Sequence, residues 1–396
     1  MTTTIPHWID GAPFVGDDAT ASPVYNPATG DVVAELALAT PADVDRVVAS
    51  AAAAFTTWSQ VPLGRRSAIL FRFRELLVEH TDELAAVVTR EHGKVISDAK
   101  GEIARGLEVV EFACGIPQLL KGEFSEQAAT GIDVYSFRQP VGVVAGITPF
   151  NFPVMIPLWM SPVAIATGNT FILKPPDRDP SAAMLIAELW KEAGLPDGVF
   201  SVVHGTPDVV GRLLTHPDVA AVSFVGSTPT AKHIYKTAIE HGKRCQALGA
   251  AKNHGIVLAD ADLENAANSL VAAAFGAAGE RCMALPVALV QEEVADQLIA
   301  LVADRARAVR VLPGDHPDSD MGPIISAQSR ARITSLIDSA EAEGAKILVD
   351  GRDTVVPGSE GGWFLGPTVI DGVHPDMTIN RQEVFGPVLE VIRISG

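Results

Sequence analysis

One cysteine follows a stretch rich in alanine and glycine, in the run Gly279-Glu280-Arg281-Cys282. A cysteine thiolate is a nucleophile that can attack a carbonyl carbon and carry an acyl group as a thioester. An adjacent arginine is expected to favour the thiolate, which gives Cys282 a candidate catalytic role. The alternative is an inert, buried cysteine, the commoner situation for a lone thiol. Cys114 and Cys245 have no comparable neighbours and are expected to be core residues.

Three other segments combine polar or aromatic side chains with proline or glycine, and each follows a short apolar run. They are Thr148-Pro149-Phe150-Asn151-Phe152-Pro153, Lys174-Pro175-Pro176-Asp177-Arg178 and Phe224-Val225-Gly226-Ser227-Thr228. Ligands of a parallel α/β sheet bind at the carboxyl ends of its strands, so the three segments are expected to meet in one crevice. Each segment alone could be an ordinary turn. Their order and positions together are what indicate a shared binding crevice. The common GxGxxG fingerprint follows none of the predicted strands.

The elements that must position these segments alternate between apolar runs and amphipathic stretches. Expected strands are 141–147, 170–173, 199–203 and 220–225, and expected helices are 154–167, 181–193, 207–214 and 229–241. This rhythm predicts a doubly wound parallel sheet. A second α/β unit follows, with strands 255–258 and 287–291 and helices 263–275, 294–309 and 327–340.

The first third of the chain has helical periodicity over 41–55, 63–92 and 97–120. Residues 131–140 alternate as an exposed strand does, which fits either an arm for oligomer contacts or a plain edge strand. The apolar run 388–394 resembles a buried strand that needs neighbours on its sheet.

Size and composition narrow the function classes. With 396 residues, of which 47% are hydrophobic, the chain is expected to form two or more domains. A formal net charge of −18 argues against nucleic acids and anionic membranes as partners. We find no signal peptide, no apolar run that could span a bilayer and no metal-ligand spacing, and we expect a cytoplasmic protein without a metal site.

The motifs PFNFP, LKPPD, FVGST, GERC and EVFGPV, in this order, resemble those of aldehyde dehydrogenases, most closely the CoA-acylating methylmalonate-semialdehyde dehydrogenases. The resemblance begins at Trp8-Ile9-Asp10-Gly11 and Tyr25-Asn26-Pro27-Ala28-Thr29-Gly30 and covers nearly the whole chain. It implies a Rossmann-like NAD-binding domain over 1–121 and 139–252, an oligomerisation arm over 122–138 and a catalytic domain over 253–396. It also implies a homodimer or homotetramer. Relatives continue past EVFGPV, so the catalytic domain is expected to be incomplete at its C-terminal end.

The resemblance also implies roles for single residues. Cys282 would attack the aldehyde, and the Asn151 side chain with the Cys282 backbone N–H would stabilise the oxyanion. In an unrecognised chain, Asn151 would be taken for a capping or turn residue. Arg281 and Arg105 would bind a substrate carboxylate, although Arg105 could equally be an exposed helix residue.

The cofactor implied by the resemblance is a nicotinamide nucleotide. Lys174 and Asp177 would hold the adenosine ribose, and the Asp177 carboxylate would repel a 2′-phosphate, which favours NAD over NADP. Asp177 is one methylene shorter than the glutamate of most relatives. Further cofactor-lining positions are Thr148, Phe150, Arg178, Gly226, Ser227 and Gly249. Glu383 would contact the nicotinamide ribose beside Phe385, unless it is only a solvated loop charge.

Hydrolytic relatives carry a glutamate before the cysteine that activates water, and this chain has Leu248 at that position, within Gln246–His254. Without a general base, thioester hydrolysis is slow, whereas a thiol needs less activation, so coenzyme A is the expected acyl acceptor. The expected reaction is oxidation of malonate or methylmalonate semialdehyde with loss of carbon dioxide, to give acetyl-CoA or propionyl-CoA. The alternatives are a hydrolytic aldehyde dehydrogenase with another base, and a truncated, catalytically silent nucleotide-binding protein.

Overall fold

The computed structural model describes residues 3–17 and 19–395. Its strands are β1 (Thr3–Ile5), β2 (His7–Ile9), β3 (Ala12–Phe14), β4 (Thr20–Tyr25), β5 (Val32–Leu38), β6 (Phe124–Ala129), β7 (Ile132–Tyr135), β8 (Val143–Ile147), β9 (Thr170–Lys174), β10 (Phe200–Val202), β11 (Val219–Val225), β12 (Arg244–Leu248), β13 (His254–Val257), β14 (Val287–Gln291), β15 (Lys346–Val349), β16 (Thr368–Asp371) and β17 (Val388–Ile394).

The helices are α1 (Pro41–Trp58), α2 (Leu63–Glu79), α3 (Thr81–His92), α4 (Ile96–Cys114), α5 (Ile116–Leu119), α6 (Met155–Ala166), α7 (Ser181–Glu192), α8 (Pro207–Thr215), α9 (Thr228–Glu240), α10 (Leu263–Phe275), α11 (Glu292–Ala308), α12 (Ala327–Ala342) and α13 (Thr378–Arg381), with a 3₁₀ turn at Gly276–Gly279. The chain divides into two compact units. Unit 1 contains the residues up to 24, 33–87 and 100–249, and unit 2 contains 25–32, 88–99 and the residues from 250 onward. The assignment of cofactor binding and catalysis to separate domains stays a prediction.

Unit 1 contains a seven-stranded sheet in the order β12-β11-β8-β9-β10-β2-β3. Its first five strands run parallel, and the doubly wound α/β sheet predicted from the sequence is confirmed. Successive residues of β9 point to opposite faces: Ile172 joins the core formed with α1, α8 and α9, whereas Phe171 stacks near Phe200 of β10 on the other face. Strands β2 and β3 extend the sheet in antiparallel fashion.

Two of the predicted long helices are interrupted. The helix predicted over 63–92 ends at Glu79 and restarts at Thr81, and His80 between them bonds through Nδ1 to the Glu83 carboxylate at 2.8 Å. The helix predicted over 97–120 ends at Cys114, whose carbonyl accepts a hydrogen bond from the Ser67 hydroxyl at 2.6 Å. At each break a residue makes a polar contact, with a near neighbour at His80 and with a residue of another helix at Cys114, although the apolar periodicity of the sequence continues.

The segment expected to be an exposed strand is one half of a hairpin. Strands β6 and β7 pair in antiparallel fashion, and all of their residues are exposed. Large apolar side chains stand on this hairpin, including Phe124, Ile132 and Tyr135. We call residues 124–135 the exposed hairpin; its role in oligomer contacts stays a prediction.

Unit 2 contains a five-stranded sheet in the order β13-β14-β17-β16-β15. The apolar run 388–394 forms its central strand, β17, which pairs in parallel with β14 on one side and β16 on the other. Its residues Val388 to Ile392 are buried. This strand therefore has the neighbours that its apolar sequence requires.

Among the described residues, none of the helices is both long and apolar enough to cross a lipid bilayer. In residues 3–17 and 19–395, no group of three or more His, Cys, Asp and Glu side chains is arranged to hold a metal ion.

Candidate active site

The carboxyl ends of four neighbouring parallel strands in unit 1 carry the predicted cofactor residues. Strands β9, β8, β11 and β12 lie side by side, so the segments that follow them meet at one edge of the sheet. Backbone hydrogen bonds join these ends: the Thr148 N–H donates to the Lys174 carbonyl and the Gly226 N–H donates to the Leu248 carbonyl, each at 3.1 Å. The predicted convergence of the three segments is confirmed.

The loop after β8 is held by a carboxylate that the sequence did not reveal. Glu102 of α4 is buried, and its Oε1 accepts hydrogen bonds from the N–H groups of Val154 at 2.7 Å and Met155 at 3.1 Å. These are the amides of the N-cap residue and of the first residue of α6, which otherwise lacks a side-chain cap, and a negative charge is favourable at a helix N-terminus. Glu102 thereby fixes the loop that contains Thr148 and Asn151, which are only 5% and 3% exposed.

At the end of β9, Lys174 and Asp177 form an ion pair with 2.8 Å between Nζ and Oδ1. The shorter acidic side chain therefore still reaches the lysine. The guanidinium of Arg178 lies over the Phe150 ring, 5.6 Å from its centroid, which joins the loops after β8 and β9. Four of the predicted cofactor residues are thus connected in pairs.

The ends of β11 and β12 approach each other closely. A Cβ on Gly226 would lie 2.5 Å from the ring of Phe224, and one on Gly249 would lie 2.9 Å from the Thr228 hydroxyl, so both positions require glycine or a shift of the neighbour. Ser227 is the N-cap residue of α9, and its hydroxyl bonds to that of Thr230 at 2.8 Å. Leu248, which the resemblance places where hydrolytic relatives have their base, ends β12 with 47% of its surface exposed.

Arg105 is exposed on helix α4, which agrees with the alternative that it is an ordinary surface residue. Its side chain is 68% exposed, and its guanidinium pairs with Glu108, one turn along α4, at 3.2 Å. An exposed pair of this kind contributes little to stability.

In unit 2, four predicted site residues line one small pocket. Cys282, Arg281, Glu383 and Phe385 share it with Ala251, Asn253, Gly279, Ala284, Pro286 and Gly386. The GERC and VFGPV motifs, about a hundred residues apart in the sequence, therefore lie against each other. This pocket combines a thiol, a guanidinium and a carboxylate.

The backbone before Cys282 adopts an uncommon conformation. Ala277, Ala278 and Gly279 have φ angles of 49°, 52° and 69°, in the left-handed region that only glycine enters readily. For a residue with a Cβ this costs roughly 1 kcal/mol or more, so surrounding contacts must hold the turn. One of them is the Ala277 N–H, which donates to Asp98 Oδ2 at 2.9 Å.

Two residues in the run before β13 hold the pocket together. The Asn253 amide donates hydrogen bonds to the carbonyls of Cys282 at 2.9 Å and Ala284 at 2.8 Å. Lys252 Nζ donates to the carbonyls of Ile379 and Gln382, both at 2.9 Å, and also bonds to the buried carboxylate of Glu390 on β17. Both residues belong to the run Gln246–His254, but the sequence alone did not indicate their hydrogen-bond partners.

Glu383 is anchored from two sides. Its Oε1 accepts a hydrogen bond from the Ala251 N–H at 3.4 Å, and its carbonyl accepts one from Arg332 at 3.2 Å. Burial raises the pKa of its carboxyl group, although the Ala251 amide and the cations Arg332 and Lys252 act in the opposite direction. A raised pKa at a polar group in a pocket is typical of functional sites.

The expectation that Arg281 favours the Cys282 thiolate is wrong. Arg281 donates from Nη2 to Asp98 Oδ1 at 2.6 Å, and this carboxylate offsets its charge. Burial raises the pKa of the Cys282 thiol, the Glu383 charge adds to the increase, and the backbone amides of Cys282 and Met283 lower it. Desolvation is the largest influence on the pKa of this thiol.

Alkylation of Cys282 should therefore depend steeply on pH. Because burial places the pKa of this thiol above that of an ordinary cysteine, the neutral form dominates at neutral pH and reaction with iodoacetamide is slower than that of free cysteine. We expect the rate to rise about tenfold per pH unit between roughly pH 7 and 9. Mass spectrometry of the Cys282 peptide measures it, with Cys282→Ala giving the background from the other thiols. A plateau near neutral pH would contradict the raised pKa.

Comparison with known proteins identifies the family. Residues 14–396 match the model of the aldehyde dehydrogenase family. The chain belongs to the aldehyde dehydrogenase family. Members of this family are oxidoreductases, and the α/β fold with a thiol, glutamate and phenylalanine in one pocket agrees with this membership.

Several relatives of this aldehyde dehydrogenase carry names that specify a reaction. The malonate-semialdehyde dehydrogenase of Pseudomonas aeruginosa is 49% identical, over 99% of this chain and 79% of the relative. The mitochondrial acylating methylmalonate-semialdehyde dehydrogenase of Arabidopsis thaliana is 48% identical, over 98% of this chain and 64% of the relative. A structure from Sinorhizobium meliloti 1021, described as a methylmalonate-semialdehyde dehydrogenase complexed with NAD, is 51% identical, with a TM-score of 0.98 over 100% of this chain and 81% of that one.

Proposed function

We propose that this aldehyde dehydrogenase uses NAD to oxidise malonate semialdehyde or methylmalonate semialdehyde and transfers the acyl group to coenzyme A. The observation that carries the proposal is the pocket in which Cys282 lies with Arg281 and Glu383, in a chain whose hydrolytic base position is occupied by Leu248. The names of the bacterial and plant relatives support the same substrate class. The products would be acetyl-CoA or propionyl-CoA.

The first step is the attack of the Cys282 sulfur on the aldehyde carbon. Because the thiol is largely neutral at neutral pH, its proton must first pass to solvent, and the carbonyl oxygen becomes an oxyanion as the carbon–sulfur bond forms. The Asn151 side chain and the Cys282 N–H would donate hydrogen bonds to that oxyanion. Loss of a hydride from the same carbon then leaves a thioester on Cys282.

The residues at the strand ends of unit 1 fit a dinucleotide whose adenosine ribose is unphosphorylated. The Lys174–Asp177 pair offers a donor and an acceptor for ribose hydroxyls, and its carboxylate would repel a 2′-phosphate. Thr148, Phe150, Arg178, Gly226, Ser227 and Gly249 would line the remaining cofactor surface, with Glu383 and Phe385 at the nicotinamide end. When bound, NAD supplies the acceptor for the hydride.

In the step that removes the acyl group from Cys282, the thiol of coenzyme A would act as the nucleophile in place of water. A general base contributes about a hundredfold or more to attack by water, and a leucine side chain cannot accept a proton. A thiolate needs no such base. Attack by the coenzyme A sulfur forms the new thioester and releases the Cys282 thiolate, which closes the cycle.

Carbon dioxide can be lost while the acyl group is on Cys282. In a malonyl-type thioester the electrons of the breaking carbon–carbon bond move into the thioester carbonyl, and the enolate then takes up a proton on carbon. The same oxyanion donors would stabilise that enolate. The substrate carboxylate would be held beforehand by a guanidinium, for which Arg281 is the stronger candidate and Arg105 the weaker, because Arg105 is exposed and paired with Glu108.

The decisive experiment follows NADH formation from malonate semialdehyde with and without coenzyme A, together with identification of the acyl product. We expect turnover to depend on coenzyme A and to yield acetyl-CoA. Turnover without coenzyme A, with release of a free acid, would establish a hydrolytic enzyme instead. Glu383 would then be the base to test, since it is a carboxylate in the Cys282 pocket. Cofactor binding without any turnover would point to a silent nucleotide-binding protein.

Assembly and compartment complete the proposal. The exposed hairpin carries Phe124, Ile132, Val134 and Tyr135, each more than half exposed, and pairing with a second copy of the chain would remove that apolar surface from water. We therefore retain a homodimer or homotetramer as the expected assembly. The three free cysteines fit a reducing compartment such as the cytoplasm.

A further inference from the structure

Arg281 lies on a platform formed by two other elements of unit 2. Its Nη2 donates to Oδ1 of Asp98, in the first turn of α4, at 2.6 Å. The second carboxylate oxygen of Asp98 accepts the Ala277 N–H at 2.9 Å. Both side chains of the pair are about three-quarters buried, so the contact is shielded from water to a large extent. Two donors thus converge on one side chain, and only a carboxylate has an acceptor oxygen for each without presenting a donor.

Gly276 forms the other side of the platform. A Cβ at this position would lie 2.5 Å from Nη1 of Arg281 and 2.9 Å from its Cζ. The backbone angles of Gly276, φ −54° and ψ 135°, are open to any residue, so conformation does not require glycine here. A Cβ here would instead displace the Arg281 guanidinium, which lies against the backbone.

The geometry leaves Arg281 able to bind a second anion. A guanidinium has five N–H donors in a fixed planar fork. In the described part of the chain, Asp98 is the only hydrogen-bond acceptor of this guanidinium, and it accepts from one of the five donors. Arg281 is also one of the residues that line the Cys282 pocket, which places this side chain beside the nucleophile.

We propose that Asp98 is a positioning residue that, together with the bare backbone of Gly276, holds the Arg281 guanidinium where it receives the carboxylate of the substrate. This inference rests on the proposed function, because it assigns the residue that makes that function selective for carboxylated aldehydes. Asp98 does not touch the substrate. It offsets the charge of Arg281, so selectivity comes from the fixed direction of the N–H donors more than from a free positive charge.

The test compares malonate semialdehyde with propionaldehyde, an uncharged aldehyde of the same chain length, at saturating NAD and coenzyme A. In Asp98→Asn, one of the two converging N–H donors faces an amide NH₂, and in Gly276→Ala the added methyl displaces the guanidinium. For both variants we expect KM for malonate semialdehyde to rise about tenfold or more, while kcat and the propionaldehyde parameters change less than about threefold. Glu111→Gln, which alters an exposed carboxylate on the same helix, is the matched control and should leave both substrates unaffected.

The outcomes separate this inference from the proposed function. If the wild-type enzyme does not prefer malonate semialdehyde to propionaldehyde, the proposed function fails. If it does, and both variants lose activity equally on the two aldehydes, Asp98 only supports the strained turn before Cys282 and the inference is overturned. Should Asp98→Asn fail to fold, Gly276→Ala decides alone, since its backbone is compatible with alanine. An unchanged preference in folded Gly276→Ala would also overturn the inference.

Discussion

Replacement of Cys282 by alanine should eliminate NADH formation from malonate semialdehyde. In the proposed mechanism the Cys282 sulfur forms the bond that carries the acyl group, and loss of a covalent nucleophile typically lowers kcat by about 10⁴-fold or more. The fold should persist, because the side chain is only partly buried and the loop is held through the Cys282 carbonyl by Asn253. Absorbance at the NADH band measures the loss.

Cys245→Ala is the matched control, since Cys245 is also a partly buried free thiol. It belongs to β12, outside the pocket of unit 2 that contains Cys282, and it should retain near wild-type turnover. Substantial NADH formation by Cys282→Ala, at more than a few per cent of the wild-type rate, would exclude a thioester on Cys282 as the reaction intermediate.

Asn151→Ala should lower kcat by about 100- to 1000-fold with little change in affinity for NAD. An oxyanion donor acts on charge that develops during the reaction, so its loss is seen in kcat more than in KM. The side chain is only 3% exposed, and the loop that carries it is fixed by Glu102, which gives the amide a defined position. Steady-state kinetics at saturating NAD, with NAD affinity from fluorescence titration, measure both quantities.

Asn169→Ala serves as the buried-asparagine control. Its amide oxygen accepts the Val141 N–H at 2.7 Å and its amide nitrogen donates to the Thr167 hydroxyl at 2.8 Å, both structural contacts. We expect it to lower the melting temperature while kcat stays within about threefold. If Asn151→Ala behaves in the same way, Asn151 is the turn residue that its position before Pro153 also allows.

The central part of the fold was predictable because its signals are local. Strands β8, β9 and β11 are apolar runs closed by proline or glycine, and the crossover rule places their ends together without knowledge of any contact. The cysteine and Glu383 were found through short motifs. Lys174 and Asp177 lie three residues apart, so their pairing also follows from local sequence.

The residues that hold the site were not predictable, because their partners are distant in sequence. Asp98 and Arg281 are 183 residues apart, and Lys252 and Glu390 are 138 apart. The thiolate argument failed for a related reason: the adjacent arginine was visible in the sequence, whereas the burial that raises the pKa of the Cys282 thiol was not. Glu102 could be taken for a surface charge on an amphipathic helix until the fold buried it.

The central position of β17 has a consequence for the order of folding during synthesis. The strands that flank it begin at Val287 and Thr368, so the five-stranded sheet of unit 2 cannot be completed until residues 388–394 have left the ribosome. The parallel strands of unit 1 are complete by residue 248 and can pair well before that. Until β17 inserts between β14 and β16, two apolar strand edges stay open, and the nascent chain is most exposed to aggregation in that interval.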